Sequence, residues 1–179
     1  FFLRFAFDHH HIVMAAIKEK DKESGELPLQ PSTIRNLSDK LYDKRKMGAL
    51  EVEQLIKELN ASKDEERIKA VIQYLVINFS DSSQGNSRKG GLIALAATAI
   101  GLGSEAHKYI PQLVPPVLKC FVDQDPRVRY YACESLYNIA KVTRGKILIY
   151  FNEIFDALCK LSADPDINVK NGAQLLDRF

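Results

Sequence analysis

From Ser32 onward, apolar residues recur three and four apart almost without pause, the spacing that gathers them on one face of a helix. Residues 111 to 121 put Leu113, Val117, Leu118 and Phe121 on one stripe. A polar turn follows, Asp123-Gln124-Asp125-Pro126. Asp125 is placed there to cap the next helix, and Pro126 fits its first turn, where no donor is lost. Val128, Ala132, Leu136 and Ile139 then make a second stripe, and Gly145 closes the unit. The pattern restarts with Ile147, Phe151, Ile154, Phe155, Leu158 and Leu161, turns at Asp164-Pro165-Asp166, and resumes with Val169, Ala173 and Leu176. Upstream, Ile68, Val71, Ile72, Leu75 and Phe79 predict a helix, residues 80–86 a polar loop, and a Gly/Ala-rich helix runs on to Gly103. The earliest pair reads as Ile34, Leu37 and Leu41, a turn near Asp43, then Ala49, Val52, Leu55, Ile56 and Leu59.

These pairs repeat. Lys44-Arg45-Lys46-Met47-Gly48-Ala49-Leu50, Ser87-Arg88-Lys89-Gly90-Gly91-Leu92, Val128-Arg129-Tyr130-Tyr131-Ala132 and Val169-Lys170-Asn171-Gly172-Ala173 occupy matching places. Arg45, Arg88, Arg129 and Lys170 are 43, 41 and 41 residues apart. Two helices per period of that length are the HEAT/armadillo signature, so the fold expected is all-α, a right-handed α-solenoid of HEAT/armadillo-type helix pairs. The units read as 31–60, 61–103, 104–144 and 145–179, the last cut short, after an atypical extension and linker over 1–30. No pair can bury its apolar stripe alone, so each needs its neighbour. The uncharged run from Gly90 to Gly103 is then a helix enclosed on most sides, whose Gly and Ala residues admit adjacent helices closely.

Charge and composition narrow the function. Lys and Arg number 25 against 23 Asp and Glu, a net +2 that gives no general pull towards nucleic acid. The 14 residues from Gly90 to Gly103 fall short of the roughly 20 needed to span a bilayer. The opening Phe1-Phe2-Leu3-Arg4-Phe5-Ala6-Phe7 breaks at Asp8-His9-His10-His11 without the small-residue cleavage site of a signal peptide. A chain that starts at Phe1 and stops at Phe179 inside a helical pattern reads as a fragment of a longer protein.

Catalytic and metal chemistry find little footing. His9, His10 and His11 are adjacent and face different ways, so they do not converge on a metal; His107 is isolated, in a helix connection. Cys120, Cys133 and Cys159 form no C-x-x-C pair and read as three small buried hydrophobes in a reducing compartment. Arg144-Gly145-Lys146 lacks the rest of a phosphate loop, with Ala140 and Ile147 at the positions that must be Gly and Ser or Thr. Residues 86–91 start a helix with cations and backbone donors, which attract anions, but no second phosphate-binding element accompanies them. No catalytic residue, metal site or cofactor is expected.

What stands out is the row Arg45, Arg88, Arg129 and Lys170, one per unit, with Lys89 beside Arg88 and Tyr130-Tyr131 beside Arg129. A structural ladder is the first expectation, the cations pairing with turn aspartates such as Asp43, Asp123, Asp125 or Asp166, because half-buried charges need partners. Direct contact with a partner is the second. All seven residues are candidates for it, since Tyr and Arg are favoured interface anchors. One tyrosine of the adjacent pair is expected to face the core.

Longer strings carry a resemblance. Asn36-Leu37-Ser38-Asp39-Lys40-Leu41-Tyr42-Asp43-Lys44-Arg45-Lys46, Ser87-Arg88-Lys89-Gly90-Gly91-Leu92-Ile93-Ala94-Leu95-Ala96 and Arg127-Val128-Arg129-Tyr130-Tyr131-Ala132-Cys133-Glu134-Ser135-Leu136-Tyr137-Asn138-Ile139 resemble the N-terminal repeats of the Vac-fourteen family. Phe155-Asp156-Ala157-Leu158-Cys159-Lys160-Leu161-Ser162-Ala163-Asp164 and Leu175-Leu176-Asp177-Arg178 continue it, so the likeness spans 31–179. Members of that family are HEAT-repeat scaffolds of the PIKfyve (Fab-type) lipid kinase complex. The resemblance implies a non-catalytic scaffold that brings together the kinase making phosphatidylinositol 3,5-bisphosphate and an opposing Sac-type phosphatase. It implies peripheral attachment to the cytoplasmic face of vacuole, endosome or lysosome membranes, with the N-terminal repeats meeting the kinase. Self-association and phosphatase contacts would belong to a C-terminal region absent from this chain.

Two other classes compete: a generic HEAT adaptor or peripheral module on anionic membranes, and a lipid-modifying enzyme. Asp interleaved with Arg weakens the membrane reading, because surface attraction of about 1 kcal/mol per cation is cancelled by neighbouring anions. The missing catalytic grouping weakens the enzyme.

Overall fold

A computed structural model describes residues 27–178; the extension expected over 1–30, with its three histidines, lies almost wholly outside the described residues. Four helix pairs follow one another: α1 (Pro31–Leu37) with α2 (Tyr42–Ala61), α3 (Glu65–Leu75) with α4 (Gly85–Leu102), α5 (Ile110–Lys119) with α6 (Pro126–Thr143), and α7 (Phe151–Ser162) with α8 (Ile167–Leu176). Helix α3 runs on into a π turn, Val76–Ser80, and short 3₁₀ segments, Gly103–Tyr109 and Arg144–Tyr150, join successive pairs. The described residues contain no strand. The molecule is an α-solenoid.

The second helices pack side by side, α2 on α4, α4 on α6 and α6 on α8, whereas the first helices touch one another sparingly. A stack that is tight on one layer and open on the other curves towards the tight layer, so the second helices form the concave wall. Small residues permit the approach. A Cβ on Gly90 would lie 1.9 Å from the carbonyl oxygen of Leu37, and one on Gly101 would lie 2.8 Å from that of Glu53. Helix α4 is therefore enclosed as expected, with Leu92, Ala94, Leu95 and Ala99 inaccessible.

The stripes in the sequence form one continuous core. Val52, Ile56, Ile68, Ile72, Leu75, Leu113, Val117, Val128, Ala132, Leu136 and Ile139 are all fully buried. Three expectations need correction. Leu41 is exposed, because the first turn falls at residues 38–41, where Asp39 accepts the Leu41 N–H, rather than near Asp43. Phe151 and Phe155 stack on each other on the outside of α7, rings 5.8 Å apart, since no further helix pair packs over them among the described residues. Cys120 and Cys133 are buried as expected, but Cys159 is exposed.

The candidate interface on the concave wall

Each turn into a second helix is built alike. Asp39, Ser82, Asp123 and Asp164 accept the N–H two residues on, from Leu41, Gln84, Asp125 and Asp166. Asp125 and Asp166 then cap α6 and α8 by accepting N–H groups of their first turns. This local hydrogen bonding, natural to Asp and Ser, fixes the turn and exposes two backbone carbonyls beside it.

The row arginines use those carbonyls. Nη1 of Arg45 donates to the Asp39 and Lys40 oxygens at 2.8 and 2.9 Å, and that of Arg88 to Ser82 and Ser83 at 2.9 Å each. Arg129 does the same to Asp123 and Gln124 at 2.7 and 3.3 Å. The remaining guanidinium edge reaches the next unit. Arg129 grips Asp164 with Nε and Nη2 at 2.7 and 2.9 Å. Arg88 donates from Nη2 to Asp123 at 3.1 Å, while its Nε sits 2.7 Å from the other oxygen but off the hydrogen-bond line. Hydrogen bonds from Arg129 hold the Asp164 carboxyl below the usual carboxylate range. The ladder thus exists, with Asp123 and Asp164 as its acceptors. Asp43 makes no such pair, Asp125 and Asp166 serve as helix caps, and Lys170 is half-buried at the end of the row, near enough to Asp164 to help stabilise its charge.

Around the first rung a second group collects. Arg45, from α2, and Tyr131, from α6, meet across the small residues that begin α4: the guanidinium carbon is 5.7 Å from the ring centre, and Nη2 is 3.4 Å from the hydroxyl. Tyr42 lies 6.4 Å from Tyr131, and Tyr130 packs edge-on against it at 5.8 Å. Neither member of the Tyr130–Tyr131 pair enters the core; both are half-buried against it. Tyr130 donates to Glu134, and burial, helped by that carboxylate, pushes its pKa up to about 12. Lys89 is almost enclosed, its Nζ 3.8 Å from Asp125. Burial lowers its pKa, and neighbouring Arg45, Arg127 and Arg88 lower it further against the pull of Asp125. Sequence reasoning missed Tyr42, Ser82 and Asp164 as members of this face. The Asp-x-Asp spacing at 123 and 164, replaced by Ser82-Ser83-Gln84 one unit earlier, marked the turns but not which aspartate reaches the preceding unit, and nothing in the spacing pointed to Tyr42.

On the convex side, Ile72, Val76, Ile77, Pro111 and Pro115 line a groove of about 650 Å³ between α3 and α5, edged by Lys69 and Lys119. Among the described residues no three His, Cys, Asp or Glu side chains could hold a metal together, and no helix is long and apolar enough to cross a membrane. Residues 144–146 belong to a 3₁₀ segment with no strand before it.

The described residues form a HEAT/armadillo-type α-solenoid whose second-helix wall is polar and lined with aromatic rings. The family model described as "Vacuolar 14 Fab1-binding region" matches residues 86–179, and the chain belongs to this Vac14 family. Over 145 residues it is 62% identical to the VAC14 homologue of Arabidopsis thaliana, a match covering 81% of this chain and 20% of that protein. It is 51% identical over 153 residues to vacuole morphology and inheritance protein 14 of Saccharomyces cerevisiae, covering 84% of this chain and 17% of that one. The chain thus spans about a fifth of the length of these relatives. A designed armadillo repeat protein solved with the peptide (KR)4 shares the fold, with a TM-score of 0.54 at 22% identity over 88% of this chain and 65% of that one.

Proposed function

We propose that this chain is the kinase-facing part of a non-catalytic scaffold that organises the Fab-type (PIKfyve) phosphatidylinositol 3-phosphate 5-kinase at vacuolar or endolysosomal membranes. The observation that carries this reading is the Fab1-binding family match over residues 86–179, which takes in α4 to α8 and most of the arginine ladder. The relative named for vacuole morphology supports the location. An opposing Sac-type phosphatase and self-association belong, on this reading, to sequence beyond this chain, and membrane attachment is peripheral, through the complex.

Within the face, the ladder divides the candidate residues. Arg88 and Arg129 are committed to neighbouring units and shape the wall; Arg45, Lys89, Tyr130, Tyr131 and Lys170 retain capacity for a partner. Large aromatic rings beside partly desolvated cations are what interface hot spots are made of.

Affinity capture by the immobilised 179-residue chain tests the proposal. It should retain the Fab-type kinase, turn over no phosphatidylinositol 3-phosphate alone, and leave anionic liposomes unbound at moderate salt. Strong lipid-dependent flotation of the chain without the kinase would favour the membrane module instead.

A further inference from the structure

The ladder has one broken rung. Asp123 and Asp164 receive the guanidinium of the preceding unit, but the matching turn position before α4 is Ser82, whose hydroxyl accepts the Gln84 N–H and offers no carboxylate. Arg45 is consequently left with its own-turn carbonyls and a long contact to Tyr131. It is only 4% exposed, and its Nε has no hydrogen-bond partner. A buried guanidinium edge without an acceptor is costly, and the cost is removed by whatever supplies one. Lys89, 7% exposed, adds a second cation whose nearest carboxylate is a loose 3.8 Å away.

We propose that the concave wall at Arg45, Lys89 and Tyr131 is a carboxylate-binding site, filled by an Asp or Glu from an acidic segment of a protein partner. The incoming group completes the rung that Ser82 leaves open. A planar two-oxygen acceptor matches the guanidinium fork in the way Asp164 matches Arg129. Two cations flanked by Asp125 and Glu134 suit one negative charge better than the two carried by a phosphate. The rings of Tyr42, Tyr130 and Tyr131 border the site. This inference rests on reading the wall as a partner surface.

The test uses the 179-residue chain and Ser82→Asp, which installs the internal carboxylate that the other units already have. Arginine Nε–H resonances are followed while an octaglutamate peptide is added. The expected result is a saturable shift of Arg45 with Arg88 and Arg129 unmoved, absent in Ser82→Asp. That variant should melt about 2–4 °C higher and retain the Fab-type kinase about tenfold less well; Lys89→Met, which removes a buried cation, should weaken capture without lowering the melting temperature. An unmoved Arg45 signal overturns the site, as does a shift produced by phosphoinositide vesicles and not by the peptide. Equal kinase capture by Ser82→Asp and the parent chain overturns the inference while leaving kinase binding intact. Failure of the parent chain to capture kinase overturns the functional reading, and the peptide titration then decides the site by itself.

Discussion

Arg129 and Asp164 meet as two forks across the boundary between consecutive helix pairs, with Nε 2.7 Å from one carboxylate oxygen and Nη2 2.9 Å from the other. The same guanidinium also holds the carbonyls of its own turn. One side chain therefore ties the start of α6 to the turn before it and to the unit after it. In a stack where each unit contacts only its neighbours, such a link sets the register between units, a task that non-directional apolar burial performs poorly.

Asp164→Asn should accordingly destabilise the chain by about 1–3 kcal/mol near neutral pH, because a partly buried guanidinium loses its counter-charge. The effect depends on pH with a definite sign. Arg129 lowers the Asp164 pKa in the folded state, so the unfolded chain binds the proton more readily and the contribution is fully present above the ordinary aspartate value. It is lost as pH falls through the depressed folded value. Thermal melts of both proteins should differ most above about pH 4 and converge in more acidic buffer; a gap independent of pH would mean that Asp164 acts through its turn alone.

Helix α4 gives a test of close packing. Gly90→Ala would gain up to about 1 kcal/mol in intrinsic helix propensity, yet its Cβ would overlap the Leu37 carbonyl oxygen at 1.9 Å. Backbone cannot yield as a side chain does, so the clash should win, with a net loss of about 1–3 kcal/mol. Chemical denaturation measures it, and a gain in stability would show that α1 moves freely.

The reverse substitution is informative one unit on. Gly103 ends α4 at φ 55°, ψ −126°, and Arg144, 41 residues later, ends α6 at φ 51°, ψ −140°. A side chain in that region is strained by about 1–3 kcal/mol, which glycine avoids. Arg144→Gly should therefore raise stability by about 1 kcal/mol, read as a higher denaturation midpoint at unchanged slope.

The periodic apolar pattern sufficed to foresee these helix pairs, because Leu136 or Val117 has one place to go whatever the turns do. The ladder was half legible. Arg45, Arg88 and Arg129 declared themselves by spacing, but the choice between Asp123 and Asp125, or Asp164 and Asp166, depends on which carboxylate caps its helix and which points to the previous unit. Local sequence does not distinguish those roles. Phe151 and Phe155 misled for a related reason: periodicity marks an apolar face without saying whether a neighbour covers it. The contact between Arg45 and Tyr131 spans two units and is set by curvature, which no local pattern encodes.

Cysteine reactivity follows from burial. Cys120 and Cys133 have their thiol pKa pushed up to about 12 by desolvation, whereas Cys159 lies exposed on α7. The thiolate is the reactive form. Iodoacetamide at pH 8 should label Cys159 alone in the folded chain and all three after denaturation; rapid native labelling of Cys133 would show that α6 and α8 separate readily.

The concave wall and the core should separate under mutation. Leu136 is fully buried in α6 with Val128, Ala132 and Ile139 on the same stripe, so Leu136→Ala leaves a cavity and should cost about 2–5 kcal/mol. Tyr130 is half-buried and its hydroxyl serves only Glu134 on its own helix, so Tyr130→Ala should cost about 1 kcal/mol. Kinase capture should follow the opposite order at a temperature where both variants remain folded: Leu136→Ala keeps the face and retains partner, while Tyr130→Ala loses a ring from it and weakens retention. The physical difference is where each side chain discharges its apolar area, Leu136 against its own stack and Tyr130 partly towards the open concave wall. Should Tyr130→Ala unfold the chain as readily as Leu136→Ala, the tyrosine pair is part of the core and the partner surface must be sought on the convex groove between α3 and α5.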